Sequence, residues 1–315
     1  MTPQAGTVVD AGGERVHVVE TGPPGGPPLL LSSGLGGAWF DWRPSADLLD
    51  GAHRVTVFDR PGLGLSPAGR AAPSLRRETA ILAGLAERAG GRVVVVAHSL
   101  AGFHAEAFAR QWPDLVRGLV LVDPSYERDP SGGAWRPRFS RVATHPAAPR
   151  VQAPPRVSAA AVPATRALGA VVGATRIPWL AAPAGRRLAM RFLTRRRVPV
   201  PDGEVRAVYG RGTVLGGILA EELAYREMAA DLAALRVRLP FPPVPLVVLT
   251  ALGDVKDPAK AREWAEGHRT LAEMSPYGRQ VKLPTELHLL HVDRPDVVAE
   301  AVAEVLGRGE AGEEG

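Results

Sequence analysis

Ser99 has the clearest chemical setting in the sequence. It follows the apolar run Val93-Val-Val-Val-Ala97 and His98, precedes a helical pattern, and has Ala97 and Ala101 two residues away on either side. A strand that turns abruptly into a helix lifts its corner residue above the sheet and strains the backbone there, which only small flanking residues tolerate. Such a serine is a nucleophile if a base takes its proton, an acid orients the base, and N–H donors receive the charge developing on an attacked carbonyl. Without those partners it is an ordinary helix N-cap.

Candidates for each partner sit near the ends of other apolar runs. His288 and His291 share the loop Thr285-Glu-Leu-His-Leu-Leu-His-Val-Asp-Arg-Pro295, with His288 seven residues before a proline suited to open a helix. Asp254 and Asp257 follow the run Val244–Leu249, and Asp123 ends the run Leu119–Val122. Asp257, with Pro258 next to it, reads as an N-cap. The loop Ser33-Gly-Leu-Gly-Gly37 has the glycines that permit close backbone approach. A dinucleotide reading of those glycines is weak, because no G-x-G-x-x-G opens a helix after the first strand. The chain has no cysteine, which removes thiol nucleophiles, disulfides and thiolate metal sites. Histidines and carboxylates show no H-E-x-x-H or comparable spacing, so neither metal nor cofactor is expected.

The elements that must position these residues alternate between strand and helix. Thr7–Val9 and Arg15–Glu20 flank a Gly12-Gly13 turn as a small hairpin. Strands are expected at Leu29–Leu31, Arg54–Phe58, Arg92–Ala97, Leu119–Val122, Val244–Leu249 and Gln280–Leu283. Helices are expected at Leu75–Ala89, Leu100–Gln111, Lys260–Glu273 and Pro295–Leu306. Residues 1–127 and 242–308 thus form two parts of one mostly parallel α/β sheet with helices on both faces. Residues 128–241 carry helical patterns at Val162–Val172, Arg186–Thr194 and Leu215–Leu235 and almost no strand signal. So long an insertion predicts a helical cap over the carboxyl edge of the sheet. Residues 309–315 read as a disordered tail.

With Ala97-His-Ser-Leu-Ala101 as its serine turn and Ser33-Gly-Leu-Gly36 as its glycine loop, the chain resembles the α/β-hydrolase fold family nearly throughout, outside the insertion. The resemblance implies Ser99 as nucleophile, His288 as base and Asp254 as acid, with Asp123 at a position from which some members supply the acid. It points to the backbone N–H groups of Leu35 and Leu100 as the oxyanion hole. Asp59-Arg-Pro-Gly-Leu-Gly-Leu-Ser66 resembles a loop of the family and reads as architectural. Gly34, Trp39, Phe40 and Tyr126 are candidates for the pocket. Implied is a serine esterase or related acyl hydrolase working through an acyl-enzyme. Alternatives on the same triad are haloperoxidase-like or carbon–carbon-bond hydrolysis, and a further alternative is a non-catalytic ligand-binding relative. Serine at the turn argues against epoxide hydrolases and haloalkane dehalogenases, whose chemistry needs a carboxylate nucleophile.

Composition limits the partners. The net charge of +5 is unevenly distributed: residues 134–212 hold fifteen arginines against Asp202 and Glu204. The basic excess therefore belongs to the cap, and without a recognition motif it does not imply nucleic acid. The Ala, Val and Pro content of the cap points to an apolar small-molecule acyl substrate. The N-terminus lacks a basic region followed by an apolar stretch, which predicts a cytoplasmic address. No run is long and apolar enough for stable membrane insertion. Oligomeric state is not legible.

Overall fold

The computed structural model describes residues 6–126 and 157–313. In chain order these form β1 (Thr7–Ala11), β2 (Glu14–Thr21), β3 (Pro28–Ser32), a 3-10 turn (Trp39–Trp42), α1 (Arg43–Leu49), β4 (Arg54–Asp59), α2 (Leu75–Arg88), β5 (Val93–His98), α3 (Ala101–Gln111) and β6 (Val116–Val122). The cap follows as α4 (Val157–Ala174), α5 (Ile177–Leu193), α6 (Asp202–Tyr209) and α7 (Gly212–Arg238). The sheet then resumes with β7 (Leu246–Ala251), α8 (Pro258–Ala272), β8 (Gly278–Leu283), α9 (Leu290–Asp293) and α10 (Pro295–Glu313). The part of the expected cap before Val157 lies outside the described residues.

The eight strands are ordered β1-β2-β4-β3-β5-β6-β7-β8. β2 is antiparallel to both neighbours, and every pair from β4–β3 onward is parallel. Val93–Val96 of β5 are fully buried, as an unbroken valine run must be when helices cover both faces of a parallel sheet. One face packs on α1 and α10, the other on α2, α3 and α8. A third apolar cluster joins Leu100, Phe103 and Ala107 to Ala224, Tyr225, Met228 and Leu232, so α7 sits directly on the helix that follows Ser99.

Two departures from the sequence reading concern helices. α6 is absent from the expected pattern because eight residues carry too few turns to show a period. α10 extends to Glu313, into the stretch where composition predicts disorder, because extending an existing helix costs less than nucleating one.

Candidate active site

β5 delivers Ser99 and its neighbour β6 delivers Asp123. His98 pairs in register with Val122, so the two residues leave adjacent strands side by side. The Ser99 N–H donates to the Val122 carbonyl (3.1 Å), and the Ser99 carbonyl accepts from the Gly102 and Ser125 N–H groups (2.9 Å each). Both corners are left-handed, with φ of 53° at Ser99 and 42° at Asp123. For a residue with a side chain this costs about 1–3 kcal/mol and persists only where the surroundings enforce it.

His288 Nδ1 lies 2.5 Å from Asp123 Oδ2. The Asp123 side chain is fully buried, and its Oδ1 accepts from the Ala251 N–H and the Trp264 Nε1–H, each at 3.1 Å. A carboxylate that accepts from an imidazole fixes the Nδ1–H tautomer and leaves Nε2 to act as base. This corrects the expectation that Asp254 orients the histidine. Register supplies the reason: Val122 lies opposite Leu249, and β7 continues to Ala251 before the chain turns at Gly253, whose N–H donates to the Glu286 carbonyl. Asp254 is carried past the strand end and is exposed. Asp257 caps α8 through the Ala259 N–H, as its neighbour Pro258 suggested.

His288 is held close to the serine turn by its own backbone. His98 Nε2 donates to the His288 carbonyl (3.1 Å), and the His98 ring stands 4.5 Å, centroid to centroid, from both His288 and His291. Burial, then the neighbouring histidines, holds the His98 pKa well below the usual imidazole value. His291 packs against Trp42 (4.4 Å), and burial followed by the proximity of His288 pushes its pKa down to about 3. Both are held neutral by their surroundings, and of the three rings only His288 hydrogen-bonds a carboxylate.

The glycine loop closes on the serine. A Cβ on Gly34 would stand 2.9 Å from Ser99 Cβ and 2.8 Å from His98 Nδ1, so no side chain fits there. Arg60 donates to the Ser33 carbonyl and, at 2.9 Å, to the Gly34 carbonyl, while its Nε and Nη2 bind both Glu221 oxygens at 2.6 and 2.7 Å. Because the Gly34–Leu35 peptide is trans, holding its carbonyl on one side directs the Leu35 N–H to the other. Tyr209 of α6 donates to the Gly36 carbonyl (3.0 Å). Asp59 accepts from the Trp39 and Leu65 N–H groups and binds His17 Nδ1, the architectural role expected of its loop. Leu100 opens α3 as its N-cap residue, where the first backbone N–H groups lack intrahelical acceptors.

A cavity of about 440 Å³ runs between this loop and the inner face of α5, lined by Gly34, Leu35, His98, His291, Ala182 and Met190 among others. Arg186 and Asp41 form one wall as an ion pair of 2.6 Å. Burial pushes the Asp41 carboxyl up, and Arg186 opposes that shift. Gly34 lines this cavity. The other pocket candidates are corrected: Phe40 is fully buried and Trp39 nearly so within the core, and Tyr126 packs on Gly267 of α8, where a Cβ would meet its ring at 2.4 Å. Aromatic rings beside strand ends go first to fill the sheet–helix interface, where they bury the most apolar surface. Missed in the sequence were Arg60 with Glu221, Trp264 and Arg186 with Asp41, whose partners are far apart in the chain.

Among the described residues no group of three or more His, Asp or Glu is placed to hold a metal ion.

Residues 27–153 match a family described as alpha/beta hydrolase fold. A "Putative carbamate hydrolase RutD" of Variovorax paradoxus is 37% identical over 113 residues, 34% of this chain and 42% of that protein. Epoxide hydrolase A of Mycobacterium tuberculosis is 37% identical over 95 residues, 29% of this chain and 30% of the relative. The chain therefore spans less than half the length of the curated relatives it matches. Among solved structures, a thermophilic esterase from Thermogutta terrifontis superposes with a TM-score of 0.62 at 22% identity, covering 96% of this chain and 99% of the esterase.

Proposed function

Because the chain has the α/β-hydrolase fold, we propose that it is a serine hydrolase that cleaves a carboxylic ester or related acyl bond through an acyl-enzyme on Ser99. The observation that carries this reading is the His288 imidazole seated on the buried Asp123 carboxylate at the foot of a left-handed serine turn. His288 Nε2 takes the Ser99 Oγ proton as the oxygen attacks the acyl carbon, and the Nδ1–H bond to Asp123 stabilises the imidazolium. The Leu35 and Leu100 N–H groups receive the charge on the tetrahedral oxygen. His288 then gives its proton to the leaving group, and a water activated by the same nitrogen releases the acid and restores the serine.

The names of the relatives support acyl chemistry where they concern carbamates and esters. The epoxide hydrolase likeness lends the fold only, since the turn holds serine and not the carboxylate that alkyl-enzyme formation requires. The cavity is mostly apolar with one charged wall, which suits an uncharged acyl group with a hydrogen-bonding end. Ser99→Ala is expected to fold normally, lose labelling by a fluorophosphonate probe, and lose ester turnover by about 10⁴-fold or more. Near-unchanged hydrolysis by the purified variant rejects the mechanism.

A further inference from the structure

α5 has two working faces. Its inner face lines the 440 Å³ cavity through Ala182, Arg186 and Met190. Its outer face is apolar in a place where a surface helix should be polar: Ile177, Leu180, Leu188 and Phe192 are 57–73% exposed. Ile177, Leu180, Ala184 and Leu188 follow one another at spacings of three and four residues, so they share one stripe of the helix. Arg191 continues that stripe, and Arg195, Arg196 and Arg197 follow just past the helix end, all exposed. None of these four guanidinium groups has a carboxylate partner among the described residues; Asp293 binds the backbone N–H groups of Arg195 and Arg196, not their side chains. With Arg187, which pairs with Asp202, the same four arginines line a hollow of about 1070 Å³ beside the helix end.

We propose that the outer face of α5 docks on an anionic phospholipid surface, with its apolar stripe at the level of the acyl chains and its terminal arginines on the headgroup phosphates. An amphipathic helix binds an interface in this way when apolar area and cationic charge lie together. Charge complementarity selects the occupant. A second copy would bring two arginine clusters together. Residues 127–156 carry six arginines against Glu127 and Asp129, so that stretch does not supply the missing negative charge. A nucleic acid would use the arginines and leave the apolar stripe in water. The helix does not cross the bilayer: among the described residues no helix is long and apolar enough to do so.

Docking would set the cavity, one helix thickness away, against the place where esters of low water solubility accumulate. That consequence rests on the proposed acyl hydrolysis, whereas docking does not, and the two are separated by measuring binding with Ser99→Ala. Flotation of this variant with phosphatidylcholine vesicles, with and without a phosphatidylglycerol fraction, is expected to show at least about tenfold stronger binding to the anionic vesicles, weakening as salt rises. Leu180→Asn with Phe192→Asn, and separately Arg195→Gln with Arg197→Gln, should each reduce binding by about tenfold while circular dichroism stays unchanged. In the Ser99 background the same pairs should leave hydrolysis of a water-soluble ester intact. Binding that fails at low salt, or that does not distinguish the two vesicles, overturns the proposal. So does binding lost with the arginines but kept in the Leu180/Phe192 variant, which would mark a simple polyanion site. Self-association in sedimentation equilibrium that the Leu180/Phe192 variant abolishes would instead assign the face to a second copy.

Discussion

The strand ends that carry Ser99 and Asp123 and the cap above them are held by different forces. At the strand ends, position is set by backbone register: His98 against Val122, then Val122 against Leu249. Apart from α7 on α3 and the burial of Val208 and Val214 against the core, the cap is tied down largely by guanidinium groups reaching carboxylates and loop carbonyls. Arg60 meets Glu221, Arg186 meets Asp41, Arg43 meets Glu204, and Arg236 meets Glu106. The glycine loop belongs to both systems, since its carbonyls are held by Arg60 and by Tyr209 of α6. Nucleophile and acid are therefore placed by the sheet, while the His288 loop, whose Leu289 N–H donates to the Leu193 carbonyl of α5, and the oxyanion loop also depend on the cap being seated.

Substitutions can separate the two systems. The largest effect is expected at the strand ends: Asp123→Asn should lower kcat/KM by about 10⁴-fold by losing the tautomer and the imidazolium partner. Asp254→Asn should change it by less than about twofold, and a reversal of these two results would restore the acid expected from the sequence. Next is the shared loop, where Glu221→Gln leaves the buried Arg60 charge without its counterion. Urea unfolding should show a loss of about 3–5 kcal/mol, with kcat falling more than KM rises if the Leu35 N–H is also displaced.

Smaller effects concern pH. Burial, then the charges of Arg60 and Arg77, holds His104 well below its ordinary pKa, and neither ring nitrogen has a hydrogen-bond partner among the described residues. His98 and His291 shift in the same direction. For each the unfolded chain takes up a proton that the folded state refuses, so stability is greatest above about pH 6.5 and falls as pH drops below it; for His291 the loss continues to about pH 3. The slope is about 1.4 kcal/mol per pH unit for each such histidine. His104→Leu should remove one of these contributions, read from urea midpoints between pH 6 and pH 5, and an unchanged slope would show that the histidine is not buried neutral. Of the substitutions around Asp123 the mildest is Trp264→Phe, which takes one donor from its carboxylate at a cost of about 1 kcal/mol, roughly fivefold in kcat/KM.

Much of the site was legible where the chemistry is local. The valine run and the alanine flanks of Ser99 specify a buried strand and a tight turn within ten residues, and the spacing of His288 from Pro295 places it before the last helix. The acid was not legible in the same way. Asp254 and Asp123 each follow an apolar strand, and choosing between them needs the length by which β7 outruns β6, a property of pairing between distant segments. The aromatic pocket candidates failed for a related reason: the sequence around Trp39 and Phe40 shows rings near a strand end but not which side of the loop they fill.

The sequence by itself determined the alternation of strand and helix, the serine turn, the loop histidine, the absence of thiol chemistry and the concentration of arginine in the cap. Each follows from neighbours within about fifteen residues or from composition. Only the tertiary structure decided that Asp123 is the partner of His288, that Arg60 spans from Glu221 to the glycine loop, and that α5 turns apolar residues outward. Those facts depend on strand register and on contacts more than a hundred residues apart in the chain, where local pattern carries no distance information.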